Sequence, residues 1–202
     1  MTLPGIEVRP LVQITGTPEF NEMFFTDVRI PRDAILGEPG DGWRVAMTTL
    51  MHERGTLGFA VSVNASIMLA ELIDLAMKTK RHGKPAIDDP VVRQKIAQAH
   101  IEVEGLRLTA TRGLSAILKT GIPGPEGSIG KLVWSESAQR MGALAVELLG
   151  PSGLLTSSTQ DDRLAHWQHA HLRARGHTIE AGTSEILRNI IAERVLGLPR
   201  LR

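Results

Sequence analysis

Cysteine is absent from the 202-residue chain, which excludes disulfides, thiolate metal sites and a cysteine nucleophile. Tyrosine is absent as well, and aromatics amount to only 3%. That leaves no base-stacking platform for single-stranded nucleic acid. A surplus of one charge is also lacking: 23 Lys and Arg stand against 22 Asp and Glu, for a net +1. Dedicated nucleic-acid or membrane-surface proteins carry a basic excess, so neither partner is expected. The opening MTLPGIEVRP has no basic-then-apolar leader pattern, which gives a cytoplasmic expectation. Repeats and low-complexity tracts are not visible. What is present, 42% apolar and 22% charged residues, is an ordinary globular composition, long enough for one large domain or one and a half small ones.

The first 32 residues differ from the rest. GIEVRPLVQI and FNEMFFTDVRIP are short β-branched or aromatic runs with partial alternation, separated by TGTPE. They predict two strands, which are marginal alone and need more sheet or a partner chain. RDAILGEPGDGW is a Gly/Pro-rich linker. Helical patterning follows. Trp43 to Lys80 contains no proline and is apolar on nearly every side, so a buried helix is predicted. A membrane span is the rival for this run, but Glu53, Arg54, Glu71 and Asp74 interrupt it. Asp88 or Asp89 caps a second helix opening at Pro90 and running to about Lys119. A third ends near Leu149, a fourth spans roughly Thr159 to Ala174, and the last runs from Ser184 to about Leu196. The expected fold is therefore mostly α: an up-and-down antiparallel helical bundle preceded by a short β segment. Its divisions are 1–32 for the strands, 33–42 for the linker and 43–202 for the bundle.

Two stretches have the makings of a site. In TIEAGTSEIL, Gly182 permits a positive φ angle or close backbone approach, and Thr183 precedes a helix with Glu185 in its first turn. Exposed N–H groups there suit a phosphate, although a plain helix cap would look the same. In LMHERGTLGFA, Glu53 and Arg54 are neighbours that do not face each other on a helix, so each needs a partner elsewhere. A carboxylate in an apolar pocket has its pKa raised toward the range of a general base. A structural ion pair with another helix is the alternative. The histidines cluster at His166, His169, His171 and His177, yet no HExxH-like spacing supports a metal centre. GPSG at Gly150 to Gly153 is a further turn.

Together these pieces resemble the C-terminal part of the acyl-CoA dehydrogenase family. FNEMFFTDVRIPRDAILGEPGDGW looks like the end of its middle β-domain and the linker. VELLGPSGL is similar to its Gly-rich turn, and TIEAGTSEILRNIIAERVLG to its closing flavin-binding loop and last helix. The resemblance implies FAD as cofactor and α,β-dehydrogenation of an acyl-CoA thioester, of fatty-acid or sterol type. A glutamate takes the α-proton and the β-hydride goes to flavin N5. Many members carry that glutamate immediately before the Gly-Thr, where this chain has Ala181. Others carry it on the first long helix just before an arginine. Here that is Glu53, with Arg54 beside the substrate. The same likeness implies flavin contacts at Arg81, Gln94, Gly150, Gly182, Thr183 and Glu185. Thr79 and His82 stand where the family has arginine and phenylalanine, Glu147 where glutamine is common, and Pro151 where glycine is. An electron-transfer flavoprotein-like acceptor and a homo- or hetero-oligomer, dimer or tetramer, are implied as partners. A non-catalytic helical assembly subunit of a heteromeric enzyme is the alternative function. Gly55 and Gly58 leave room beside Glu53 for a bulky or branched acyl chain.

Overall fold

The computed structural model describes residues 2–122, 124–155 and 162–200. The chain divides into two compact units, 1–49 and 50–202. In the first, β1 (Ile6–Leu11) pairs antiparallel with β2 (Phe20–Phe25), Ile6 opposite Phe25 and Leu11 opposite Phe20. These are the two strands read from the alternating runs. The chain begins to reverse earlier than TGTPE suggests, at a turn in which Gly16 N–H donates to Gln13 O at 2.9 Å. The Arg9 guanidinium lies 4.5 Å from the centre of the Phe24 ring on the facing strand. Phe20, Met23, Phe24 and Phe25 are nonetheless each at least 40% exposed. A two-stranded sheet with such apolar faces and open edges is built to receive more structure.

Long helices make up most of the remainder. α1 (Gly42–Lys78) gives way to a minimal hairpin, β3 (Lys80–Arg81) with β4 (Lys84–Pro85). Its turn residues His82 and Gly83 have φ of +52° and +79°, the type I′ geometry that twists with the strands. The His-Gly pair is the local sequence signal for this turn. α2 (Pro90–Thr120) starts where expected. Asp89 caps it, its carboxylate accepting from Val91 N–H at 2.8 Å and Val92 N–H at 3.4 Å. Gly121, at φ +72°, ends it. α3 (Glu126–Leu149), α4 (Asp162–His177) and α5 (Ser184–Arg194) follow. The expected start of the fourth helix, at Thr159, lies outside the described residues.

One core unites α1 to α4. Val92, Ile96, Ala99, Val103 and Leu106 recur every three or four residues along α2. They join Ala65, Met68, Leu69, Leu72 and Ala76 of α1, Met141 and Ala145 of α3, and Trp167 of α4. α3 and α4 cross closely at Gly142, where a Cβ would stand 3.1 Å from His171 Cα. The all-round apolar pattern of α1 leads one to expect burial on every side. The structure buries one row only: Phe59, Val63, Ile67 and Met77 remain 42–55% exposed. The other helices of this chain supply a wall on one side of α1. Gly58–Lys78 has the length and apolarity of a membrane-crossing helix, and a third of it is buried within the bundle.

Candidate functional site

The segment from Thr178 to Thr183 carries the chain from α4 into α5. Ile179 and Glu180 N–H both donate to Gly176 O, at 2.9 and 3.0 Å, finishing α4. Ala181 and Gly182 then adopt φ of +51° and +105°. Glycine does so freely, whereas alanine is strained there by about 1–2 kcal/mol. Thr183 is extended and caps α5, its Oγ1 accepting from Ile186 N–H at 3.3 Å. Side chains from α3 grip both ends of the loop. Gln139 Nε2 donates to Thr178 Oγ1 at 2.9 Å, and Lys131 Nζ donates to Gly182 O at 2.7 Å.

Glu180, the only carboxylate within the loop, is held by two side chains of α4. Arg173 donates to it at 2.9 Å and His177 Nδ1 lies 2.7 Å from its other oxygen. Burial pushes the Glu180 carboxyl up, but the hydrogen bonds from His177 and Arg173 outweigh it and hold the group below the usual carboxylate range. Such a group is a poor proton acceptor. Ala181, beside it, has no acceptor at all.

A cavity of about 580 Å³ opens beside the start of α5, lined among others by Arg140, Arg175, Thr178, Thr183, Glu185 and Arg188. Its arginines are engaged: Arg188 with Glu136 at 2.5 Å, Arg140 with Glu102 at 2.8 Å, and Arg175 donating to Gln139 at 3.0 Å. The Glu185 carboxyl is held below its ordinary pKa, first by its own backbone N–H, then by the Thr183 hydroxyl. This glutamate thus sits at the helix start where an incoming anion would seek the same donors.

A second cleft, about 730 Å³, has an apolar floor that includes Leu72, Met141 and Leu144 and a rim with Gln94, Lys95 and Glu147. Glu147 pairs with Lys95 at 2.6 Å and Arg81 at 3.1 Å, and Arg81 also reaches Asp89 at 3.1 Å. Lys95 first, then Arg81, holds the Glu147 carboxyl below its ordinary 4.5. A carboxylate depressed on folding stabilises the fold above its unfolded pKa, and that support is lost as pH falls through the folded value. Urea midpoints of the wild-type chain should therefore fall below about pH 5. Glu147→Gln should show a shallower fall, its midpoint already slightly reduced at neutral pH. The effect is small, because the pair is partly exposed.

The expected site residues fall into three groups. Thr183 and Glu185 line the first cavity, and Gly182 precedes Thr183 in the chain without lining it. Gln94 lies exposed on the rim of the second, and Arg81 is tied to that rim through Glu147. Gly150, at φ +56°, ends the helix that carries Glu147, and a Cβ built there would meet nothing within 4 Å. Glu53 lies exposed on α1 and lines neither cavity; the side chain of Arg54 is outside the described residues. Sequence reasoning missed Lys131 and Gln139. A single lysine in the small and apolar run SIGKLVW was the available signal for the first. Among the described residues, no group of three or more His, Asp or Glu is arranged to hold a metal. His166 instead meets Glu71 at 3.2 Å.

The model of the acyl-CoA dehydrogenase C-terminal domain matches residues 40–196. The acyl-CoA dehydrogenase IpdE1 of Mycobacterium tuberculosis is 41% identical over 98% of this chain and 49% of its own length. The human mitochondrial short-chain specific acyl-CoA dehydrogenase is 33% identical over 97% of this chain and 46% of its own. Among solved structures, the ChsE4-ChsE5 complex from Mycobacterium tuberculosis superposes with a TM-score of 0.81 at 28% identity, covering 99% of this chain and 52% of that one. Glutaryl-coenzyme A dehydrogenase in its glutaryl-CoA complex gives 0.79 at 26%, covering 98% and 49%. The chain thus spans about half the length of the relatives it matches.

Proposed function

Because the chain belongs to the acyl-CoA dehydrogenase family, through its C-terminal helical domain, we propose that it takes part in FAD-dependent α,β-dehydrogenation of an acyl-CoA thioester, with Glu53 as the base. What carries the assignment of the base is the state of the closing loop. Glu180 is tied to Arg173 and His177, and Ala181 cannot take a proton. The base must come from elsewhere, and α1 offers Glu53. In this role Glu53 accepts the proton from the carbon next to the thioester carbonyl, and Arg54 contacts the substrate. FAD, when bound, accepts the hydride from the adjacent carbon.

The residues suit the flavin unevenly. Gly182 has no side chain to obstruct close approach, and Thr183 opens α5 at the rim of the first cavity. Arg140, Arg175 and Arg188 in that cavity, and Arg81 outside it, are each engaged by side chains of this chain and would have to exchange those partners for a pyrophosphate. Glu53 is exposed in this chain. The apolar cover that would raise its basicity has to come from the portions of the enzyme that the relatives possess beyond this match, in cis or on a second subunit. A partner subunit and an electron-transfer flavoprotein-like acceptor belong to the same proposal.

The second reading, a non-catalytic assembly subunit, is favoured by one observation: Glu147 fills with charge a position where family members commonly have glutamine, and neutralises Arg81. A flavin titration followed by visible absorbance, together with mass in solution, separates the two. The chain assembled with the portions that its relatives carry beyond this match is expected to be a yellow oligomer, and the 202-residue chain alone to oligomerise without turning over acyl-CoA. A colourless assembly would favour the subunit; turnover by the isolated chain would contradict the need for the missing cover.

A further inference from the structure

The strained backbone at Ala181 needs a cause. A left-handed residue that is not glycine persists only where its surroundings over-determine it. Two anchors flank it. On the N-terminal side, Glu180 is fixed to Arg173 at 2.9 Å and to His177 at 2.7 Å, both on α4. On the C-terminal side, Lys131 of α3 donates to Gly182 O at 2.7 Å across 51 residues of sequence. The lysine is half-buried, so it spends a charged, entropically costly side chain on a loop carbonyl. Fixing the Gly182 carbonyl fixes the peptide plane that follows it. That plane carries the Thr183 N–H and sets the direction from which Thr183 caps α5.

We propose that Lys131 is a positioning residue: by holding the Gly182 carbonyl it sets the Ala181–Gly182 turn and aims Thr183 and the start of α5 at the cofactor. Glu180 is its counterpart on the other side of the turn, an anchor in the place where a base would be sought. The assignment rests on the flavin reading of this loop. Lys131 touches neither substrate nor reacting atoms in this role and acts through the backbone it holds.

Amide hydrogen exchange of the 202-residue chain, read residue by residue, tests the clamp without any flavin. Lys131→Met should speed exchange at Ser184, Ile186 and Leu187, whose amides are hydrogen-bonded in the loop and cap, by about tenfold, while the α2 amides Val92 to Leu106 stay unchanged and report an intact fold. Lys131→Arg, which keeps a charged donor, should restore most of the protection. Should the methionine variant not fold, Lys131→Gln serves the same comparison. Unchanged exchange in the loop would overturn the clamp. The second arm is FAD retention on dialysis of the assembled enzyme, where Lys131→Met should weaken binding by about tenfold and Lys131→Arg should recover it. Faster loop exchange with undiminished FAD retention would overturn the positioning role. If the wild-type assembly retains no FAD, the flavin reading fails and takes the cofactor role with it, while the exchange arm still decides the clamp.

Discussion

Glu53→Gln in the assembled, flavin-loaded enzyme is expected to slow flavin reduction by acyl-CoA by about a hundred- to ten-thousandfold and to leave FAD content unchanged. Glutamine keeps the size and polarity of the side chain and replaces the basic carboxylate by an amide that does not take up a proton near neutral pH. Stopped-flow absorbance under anaerobic conditions reads the effect directly. The loop provides no substitute, because Glu180 is held by Arg173 and His177 and its neighbour is Ala181. Adding Ala181→Glu to Glu53→Gln should recover part of the rate. Position 181 already has a Cβ at φ +51°, so a longer side chain adds little backbone strain, and family members that carry their base in this loop carry it there. Undiminished reduction by Glu53→Gln alone would defeat the assignment.

Leu72→Ala is expected to lower the stability of the bundle by about 2–5 kcal/mol, a large share of the 5–15 kcal/mol typical of a domain, in round terms. Leu72 is fully buried in the core row of α1. Leu72 also belongs to the floor of the 730 Å³ cleft. Ile67, 52% exposed on the same helix, provides the contrast. Its replacement by alanine in the isolated chain should cost about 0.5 kcal/mol or less. Urea unfolding of the two variants, with equal slopes, checks the pair. Equal losses would mean that the buried row of α1 had been misplaced.

Local chemistry explains which parts of this architecture were legible beforehand. Asp89 followed by Pro90 marks the start of α2 because cap and first-turn preferences depend on a few adjacent residues. Gly182 and Thr183 mark the loop for the same reason. Even the neutralisation of Glu180 was in principle readable, since residues 173, 177 and 180 follow helical spacing at the end of α4. The pairing of Arg81 with Glu147, 66 residues away, was not, nor was the reach of Lys131 to Gly182. Both depend on how α3 packs. The burial of α1 was misjudged because periodicity records which faces are apolar and says nothing of which chain or domain covers them. Phe59, Val63 and Ile67 carry the signature of a buried face that the described residues of this chain leave about half exposed.

Proton removal from the substrate is the step that most directly tests the central claim. The assembled enzyme, incubated with an acyl-CoA in heavy water with no electron acceptor, should incorporate deuterium at the carbon beside the thioester carbonyl, followed by mass spectrometry. Glu53→Gln, still carrying FAD, should incorporate none above background. Deuterium uptake by that variant at the wild-type rate would mean that another group removes the proton, and Glu53 would lose its place as the base.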